Sequence, residues 1–320
     1  MPYTQTGMGA RPDLTQKIQQ YAFAPDTYAA ELVFPAAPVA NQAGTVSVVT
    51  RKTLLQIPSI RRSPLGGYNR INARLSAMSY ECEDKGLEHV LAKAIQDPPG
   101  IDMEMTGASL LAVTTKGAFE AEFAALAQDT SVFNESDGNY VESSVPWVTV
   151  TTADPIADVL GACDNVRELT GIRPNALVIN ADQLSLLLQN AKIQARFPGA
   201  PAVTYDMLKS SLVSLFGLQQ LIVSNAVGDS DKDPSAISIS PLWDSDYALV
   251  AVVPPAGSPL EVPALGRTLD WAEDSNGWVA DAPYYVEADR TWILRARRNY
   301  VQKVIDPLFG CLIDVTETAS

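Results

Sequence analysis

The stretch GIRPNALVINADQLSLLLQNAKIQARF, residues 171–197, has the pattern of one strand followed by one helix. Gly and Pro precede the apolar run 176–179, which predicts a short buried strand. Asn180 with Gln183 three residues later is the signature of a capping box, so a leucine-rich helix is expected to begin there. The stretch carries no nucleophile motif, no phosphate-binding loop and no pair of metal ligands. It therefore predicts a packed structural unit without chemistry of its own.

The residues on both sides of this stretch continue the alternation of helices and strands. Asp154 is a favourable helix N-cap with Pro155 at the first helical position, and Gly171 is a typical helix terminator. A long helix is expected over 101–129, because its apolar residues recur on one face. The other predicted helices are near 14–21, within 81–97 and over 205–216, and the predicted strands lie within 145–152 and at 218–224, 247–253, 284–286, 291–297 and 311–315.

Residues 45–80 have the pattern of a long β-hairpin. Residues 45–55 are rich in β-branched side chains, and apolar and polar residues alternate over 70–77, with SPLGG at 63–67 as the turn. A two-stranded hairpin is only marginally stable alone in water. Because the sequence shows no internal cover for it, we expect the hairpin to lie on something else.

The charge of the chain is unevenly distributed. The 320 residues carry a net charge of −14, yet residues 32–80 contain no Asp or Glu, so this segment has +6 and the rest has −20. An acidic chain is not expected to coat nucleic acid through a general basic face. The basic segment instead predicts an acidic partner, which another copy could supply. Its six basic residues are Arg51, Lys52, Arg61, Arg62, Arg70 and Arg74.

A cluster of carboxylates follows the basic segment and matches it in sign. We interpret it as a contact with the basic hairpin, within one subunit or between subunits. Exposed ion pairs contribute about 0–1 kcal/mol each, so only a network repeated over many copies would matter. The cluster consists of Glu81, Glu83, Asp84 and Glu88.

The remaining candidates for chemistry are weak. The chain has one histidine, His89, and a His-based metal site needs at least two. We therefore interpret His89 as a surface histidine in a short helical stretch and not as a catalytic residue. Asp229, Asp231 and Asp233 match the first ligands of a calcium loop, but Pro234 stands where that loop needs glycine, so a solvated acidic loop is the better interpretation. We expect no catalytic residue, no cofactor and no metal. The three cysteines are expected to be reduced and buried.

The sequence gives no sign of export or of a membrane span. The N-terminus lacks the basic and apolar regions of a secretory signal. The longest apolar runs fall far short of the ~20 residues that a membrane helix needs. A soluble protein made in a cytoplasm is therefore expected.

Several ordered elements of the chain resemble the major capsid proteins of tailed bacteriophages with the HK97 fold. A helix that begins near DP at 154–155 leads to GIRPNALV at 171–178, which is similar to the G-x-x-PN-x-L-V strand of that family. LFGLQQLIV at 215–223 resembles its helix-to-strand unit, and YECEDKGLE at 80–88 resembles the element between its hairpin and its long helix. The resemblance covers residues from about 45 to the C-terminus.

The resemblance implies an α+β fold with five segments: an N-terminal arm (1–44), an extended hairpin loop (45–80), a peripheral domain with a spine helix (81–153), an axial domain (154–265) and a return to the peripheral domain (266–320). It implies a non-enzymatic shell protein that forms hexamers and pentamers around double-stranded DNA, without sequence-specific DNA binding. The implied partners are other copies, a portal and a scaffolding protein, with a decoration protein as an open possibility. The implied location is the virion, assembled in the bacterial cytoplasm.

Two alternatives stay open at the level of sequence. The same fold could form the shell of a gene transfer agent or an encapsulin-type compartment with a different cargo. A soluble hydrolase that uses the acidic loop at 229–233 is the alternative from another class, and it predicts a monomer or dimer whose activity depends on Asp231.

Overall fold

A computed structural model describes residues 12–20, 28–49, 53, 55–62, 66, 68–71, 75–92, 103–196, 205–229, 238–274 and 277–316. Its helices are α1 (Pro12–Gln20), α2 (Ala30–Val33), α3 (Met103–Ala127), α4 (Pro155–Thr170), α5 (Ala181–Gln189), α6 (Ala191–Ala195) and α7 (Tyr205–Phe216). Its strands are β1 (Ala36–Val39), β2 (Ala43–Val49), β3 (Leu75–Glu81), β4 (Glu83–Ala92), β5 (Tyr140–Glu142), β6 (Ala176–Asn180), β7 (Gln220–Ser224), β8 (Val227–Asp229), β9 (Ile239–Pro241), β10 (Tyr247–Ala251), β11 (Gly266–Trp271), β12 (Val279–Ala280), β13 (Tyr284–Val286), β14 (Thr291–Val304) and β15 (Gly310–Asp314).

The opening stretch lies in a five-stranded sheet with the order β5-β15-β10-β6-β7. Strand β6 is fully buried and runs parallel to β7, whereas β10 is antiparallel to both β6 and β15. The capping box is present, since the Asn180 N–H donates to Gln183 Oε1 at 2.9 Å. The two side-chain amides also donate to the carbonyls of Trp243 and Ser245, both at 2.7 Å. The same two residues therefore start α5 and fix the neighbouring loop, as the buried location of both requires.

A six-stranded sheet forms the other large layer, and α3 packs across it. Strand β14 pairs with β4, β11, β12 and β13, and β1 pairs in parallel with β11 at the edge. The Phe119 and Tyr300 rings lie 5.1 Å apart, and the Gln302 amide donates to the Phe119 carbonyl at 3.1 Å. The long helix is therefore fixed to β14 by an aromatic contact and a buried hydrogen bond.

Most predicted elements are confirmed with small shifts of their ends. The helices α1, α3, α4 and α7 and the strands β6, β7, β10, β13 and β15 lie where the patterns placed them, and β14 is longer than predicted. Asp154 caps α4 by accepting from Ala157 N at 3.1 Å, and Gly171 ends this helix with φ of 77°. Within the described ranges, no helix combines the length and the apolar character that a bilayer crossing requires.

The predicted helical patch within 81–97 is wrong over its described part. Residues Glu83–Ala92 form strand β4, which pairs antiparallel with β14 over ten residues. This long pairing outweighs a local helical preference. Gly86 suits the strand, because a Cβ there would lie 2.6 Å from the carbonyl oxygen of Ala296. His89 therefore lies on a strand, and the acidic cluster precedes β4 or belongs to it.

The predicted hairpin is present, but its strands have different ends. Strands β2 and β3 pair antiparallel, but residues 69–71 form no strand, and residues 72–74 lie outside the described ranges together with most of the SPLGG turn. The buried residue near the base is Tyr80, whose hydroxyl donates to the Asn41 carbonyl at 3.0 Å. Tyr80 and Val46 pack with Val39 and Leu269, so the base of the hairpin does have internal cover.

The predicted strand within 145–152 is also wrong. These residues form turns, with local bonds such as Thr149 N to the Pro146 carbonyl at 2.9 Å. Trp147 is buried and its indole N–H donates to Asp158 Oδ2 at 2.9 Å. The tertiary contacts of Trp147 with α4 therefore outweigh the β propensity of the surrounding Val and Thr residues.

Two glycines inside α3 allow a matched prediction. A Cβ at Gly117 would meet nothing within 4 Å, whereas a Cβ at Gly107 would lie 2.7 Å from His89 Cδ2. We expect Gly117→Ala to raise the free energy of unfolding of the unassembled subunit by about 1 kcal/mol, through helix propensity. We expect Gly107→Ala to lower it, because the imidazole must move. Denaturant unfolding measures both effects, and a stabilising Gly107→Ala variant would contradict the close approach of β4 to α3.

Candidate functional site

The structure places the candidates for chemistry apart from one another. Among the described residues, no three His, Cys, Asp or Glu side chains form a group that could hold a metal ion. His89 is half-buried against α3 at Gly107. Asp229 ends β8 and accepts from Ser238 N at 3.0 Å, whereas Asp231 and Asp233 lie outside the described ranges. The three cysteines are free and buried, as predicted.

The described basic residues lie on an exposed loop between strands β2 and β3. Arg61, Arg62 and Arg70 are exposed, whereas Arg51, Lys52 and Arg74 lie outside the described residues. Arg62 Nε donates to the Gly66 carbonyl at 2.8 Å, and the guanidinium lies 4.6 Å from the Tyr68 ring centroid. The Asn69 amide donates to the Ser59 carbonyl at 2.6 Å. The loop is therefore tied to itself and presents its cations to solvent.

The same loop exposes large apolar side chains that sequence reasoning missed. Ile57 and Ile60 are 98 % and 96 % exposed, and Tyr68 and Ile71 are also exposed. Nearly complete exposure of two isoleucines three positions apart is costly in water, and such apolar surface beside charge is typical of an interaction site. The sequence QIPSIRR at 56–62 places these isoleucines beside two arginines, but it does not show that the folded chain leaves them uncovered.

The base of the exposed loop lies against the end of α4. Leu55 Cδ2 approaches Gly171 so closely that a Cβ there would lie 2.7 Å from it. Gly171 also has the left-handed backbone that favours glycine. Leu55 therefore lies beside the end of α4, and the exposed residues 56–62 follow it directly.

The acidic cluster lies on a different part of the subunit, around the junction of β3 and β4. Glu81, Glu83 and Asp84 are exposed. Lys85 follows them on β4, and its ammonium is 3.0 Å from Glu122 on α3 and 3.7 Å from Glu83. One cation is thus shared with the helix, and the start of β4 presents net negative charge to solvent.

Glu88 is already engaged within the chain. Arg295 Nη2 lies 2.6 Å from Glu88 Oε1, and the Tyr284 hydroxyl donates to the same oxygen at 3.2 Å. The bond from Arg295 lowers the pKa of Glu88 below its usual range. Arg295 and Arg297 both approach Asp281, at 3.8 and 3.3 Å, so a row of ion pairs crosses this face of the sheet.

The structure does not bring the basic loop and the acidic cluster together within the described part of one subunit. Glu88 bonds an arginine of β14, and Arg62 bonds its own loop. A role for these residues in contacts between subunits stays a prediction.

Comparisons with known proteins identify the fold. No protein-family model and no curated protein matches the sequence. A phage-related protein from Bordetella bronchiseptica RB50 has a similar structure with a TM-score of 0.73 and 21 % identity, over 97 % of this chain and 98 % of that chain. The capsid of cyanophage P-SCSP1u matches with a TM-score of 0.60 and 10 % identity, over 92 % and 89 % of the two chains. The capsid of a native GTA (gene transfer agent) particle matches with a TM-score of 0.56 and 10 % identity, over 99 % and 95 %.

These likenesses extend over nearly all of this chain and nearly all of each neighbour. At 10–21 % identity they show the fold. The chain has the mixed helix-and-sheet fold of phage capsid proteins, in agreement with the HK97-like fold that its sequence resembles.

Proposed function

We propose that this chain is a phage major capsid protein that assembles into hexamers and pentamers and forms an icosahedral shell around packaged double-stranded DNA. The observation that carries the proposal is the match of the whole chain to capsid proteins, over 92 % or more of its length. The exposed loop with Ile57, Ile60 and Arg61 supports it, because such a surface is expected to be covered by another molecule.

The proposal assigns a part to each segment. Residues 1–44 are the N-terminal arm, and 45–80 are the extended loop that lies over a neighbouring subunit. Residues 81–153 and 266–320 form the peripheral domain, with α3 as its spine helix. Residues 154–265 are the axial domain around the fivefold and sixfold axes, which accounts for a well-packed α/β unit without chemistry.

The proposed mechanism is multivalent association. Each exposed ion pair contributes little, about 0–1 kcal/mol, but every subunit repeats its contacts around a closed assembly. Linked contacts raise the overall stability far beyond that of any single contact. The proposed function therefore needs no catalytic residue, and it places the protein in the virion shell after assembly in the bacterial cytoplasm.

The proposed partners follow from the shell. Other copies of the chain form the capsomers, a portal occupies one vertex and a scaffolding protein guides assembly, with a decoration protein as a further possible partner. Packaged DNA is enclosed without sequence-specific contacts, in keeping with the net charge of −14.

Reversal of charge on the loop tests the proposed contact. We expect Arg61→Glu combined with Arg62→Glu to lower the yield of particles by about tenfold or more, because like charges at an interface oppose association. Particle yield is measured by sedimentation and electron microscopy. A control variant, Arg167→Glu with Arg196→Glu, makes the same change in net charge at exposed positions elsewhere. Equal particle yield for the loop variant and the wild type would contradict the assigned role of the loop.

The shell of a gene transfer agent is a second candidate function. The match to the capsid of a GTA particle, with a TM-score of 0.56, favours keeping it. Nuclease-treated particles distinguish the candidates by their contents. One uniform viral genome supports a phage head, mixed fragments of host DNA support a gene transfer agent, and an enzyme cargo without DNA would indicate a compartment shell.

A further inference from the structure

Strand β4 has a free edge within the described part of the chain. Strand β14 has two edges, and β4 occupies one of them over Thr291–Tyr300. Strands β12 and β13 pair with residues inside the same span of β14, so they lie on its opposite edge. Strand β11 pairs with the following residues of β14 on that same opposite edge. The described residues give β4 no second strand partner. A ten-residue edge strand presents a row of unpaired backbone groups that can accept another strand.

The loop segment 56–62 is positively charged, whereas β4 begins with exposed acids. It is exposed throughout, it belongs to no described helix or strand, and it carries cations but no acid. Its base lies at Gly171, beside the other sheet. Every subunit therefore carries a segment whose charge complements the acids of β4. Segment 56–62 of a second copy can occupy the β4 edge.

The apolar side chains of the two segments have the same spacing. Ile57 and Ile60 are three residues apart, and so are Leu87 and Val90, which are 40 % and 54 % exposed on β4. Residues three apart in a strand point to opposite faces of the sheet. An added strand can therefore match one apolar pair on each face, either in parallel or in antiparallel orientation.

The charges select the antiparallel orientation. With Ile57 opposite Val90 and Ile60 opposite Leu87, Arg61 lies diagonal to Asp84 and Glu88 on one face, and Arg62 lies diagonal to Glu83 on the other. In the parallel orientation the arginines lie beyond residue 90, away from these acids. In the antiparallel orientation Lys85 lies opposite Arg62, but the Lys85 ammonium is bound by Glu122.

We propose that segment 56–62 of one subunit adds as an antiparallel strand to the free edge of β4 in a second copy. This inference rests on the proposed shell function and names the surface that receives the loop. Pro58 fits such a strand, because a strand added at an edge is paired on one side and proline tolerates the unpaired side.

Cysteine cross-linking tests the proposed register. We expect particles of the double variant Ile57→Cys and Val90→Cys to form a ladder of linked chains on a non-reducing gel under mild oxidation, because opposite positions in a strand pair meet disulfide geometry. The controls are Ile57→Cys with Leu87→Cys, which tests the parallel orientation, and Ile57→Cys with Ile239→Cys, which places the second thiol at another exposed apolar position. The wild type contributes only buried cysteines.

The outcomes separate this inference from the proposed function. Particles that link through the Ile57 and Val90 positions alone support it. Suppose instead that particles form but the Ile57→Cys and Val90→Cys variant links no faster than the control variants. This result overturns the assignment of the loop to β4 and leaves the shell function intact. Wild-type protein that forms no particles with its scaffold and portal contradicts the shell function itself.

A charge exchange decides the case in which the cysteine variants fail to assemble. We expect Glu83→Arg with Asp84→Arg to lower particle yield by about tenfold, and the combination with Arg61→Glu and Arg62→Glu to restore it to within about threefold of the wild type, because contacting groups are not additive. A combined variant as defective as the sum of its parts would overturn the proposed contact.

Discussion

Replacement of Glu120 by alanine is expected to lower the free energy of unfolding by about 3–5 kcal/mol, because several buried donors lose their acceptor at once. The carboxylate is fully buried and accepts from Ala29 N at 3.0 Å, from Ala30 N at 2.8 Å and from the Ser224 hydroxyl at 2.9 Å. Denaturant unfolding of the unassembled subunit measures the loss. Glu120→Gln keeps one acceptor oxygen and is expected to lose less.

The position of Glu120 gives this variant a local signature as well. The carboxylate on α3 joins the start of α2 to the end of β7, so it ties the residues around α2 to α3 and to the five-stranded sheet. Phe34 follows α2 and packs edge-on against Phe123, with ring centroids 5.0 Å apart. Hydrogen exchange is therefore expected to rise first at residues 28–39 in Glu120→Ala. An even rise over the whole chain would contradict the role of Glu120 as a local tie.

The same carboxylate predicts a dependence on pH. Burial raises the pKa of Glu120, and the three donors oppose this shift only in part, while Glu31 nearby adds to it. A raised folded-state pKa means that the folded subunit binds a proton more readily than the unfolded chain. Between neutral pH and the ordinary glutamate value of 4.5, acidification should therefore stabilise the wild type relative to Glu120→Gln. A difference between the two proteins that stays constant with pH would contradict this.

The second large effect is expected at a buried ion pair. Arg298 Nε and Nη2 donate to the two carboxylate oxygens of Asp270 at 2.9 and 2.8 Å, and the two side chains are 4 % and 1 % exposed. The guanidinium also lies over Phe119, 4.8 Å from its centroid. We expect Asp270→Ala to lower the free energy of unfolding by about 3–5 kcal/mol, because the buried guanidinium loses its bidentate partner and keeps only the exposed carboxylate of Glu31, 3.8 Å from Nη1.

Two controls separate the buried charge from the loss of any ion pair. Glu88→Ala removes the partner of another arginine on β14, but that pair is about 40 % exposed, so its loss should cost about 0–1 kcal/mol. The double variant Asp270→Leu with Arg298→Met removes both charges and should lose less than Asp270→Ala alone. A larger loss in the double variant would show that the packing of Arg298, and not its charge, dominates.

The parts of the fold that could be predicted from sequence are those with local signals. Asn180 with Gln183, Asp154 with Pro155 and the glycine at 171 state where helices begin and end, and the structure confirms them. The wrong predictions concern segments whose secondary structure depends on contacts with residues far away in the sequence. Residues 83–92 are a strand because β14 pairs with them from two hundred residues away, and no local pattern contains that information.

Some features of the candidate site could also be predicted from sequence, and others could not. The uneven distribution of charge was visible in sequence, because residues 32–80 lack acids. The nearly complete exposure of Ile57 and Ile60 and the free edge of β4 were not visible, since both depend on what the folded chain leaves uncovered. Sequence therefore indicated the charges of the proposed contact, and the exposed apolar residues of the structure are the basis for its proposed register.

The most direct test of the central claim is electron microscopy with sedimentation of the purified protein, expressed alone and together with its scaffold and portal. The proposed function predicts closed shells, tubes or capsomer rings in at least one of the two preparations. A monodisperse monomer in both would contradict the claim that this chain builds a capsid shell.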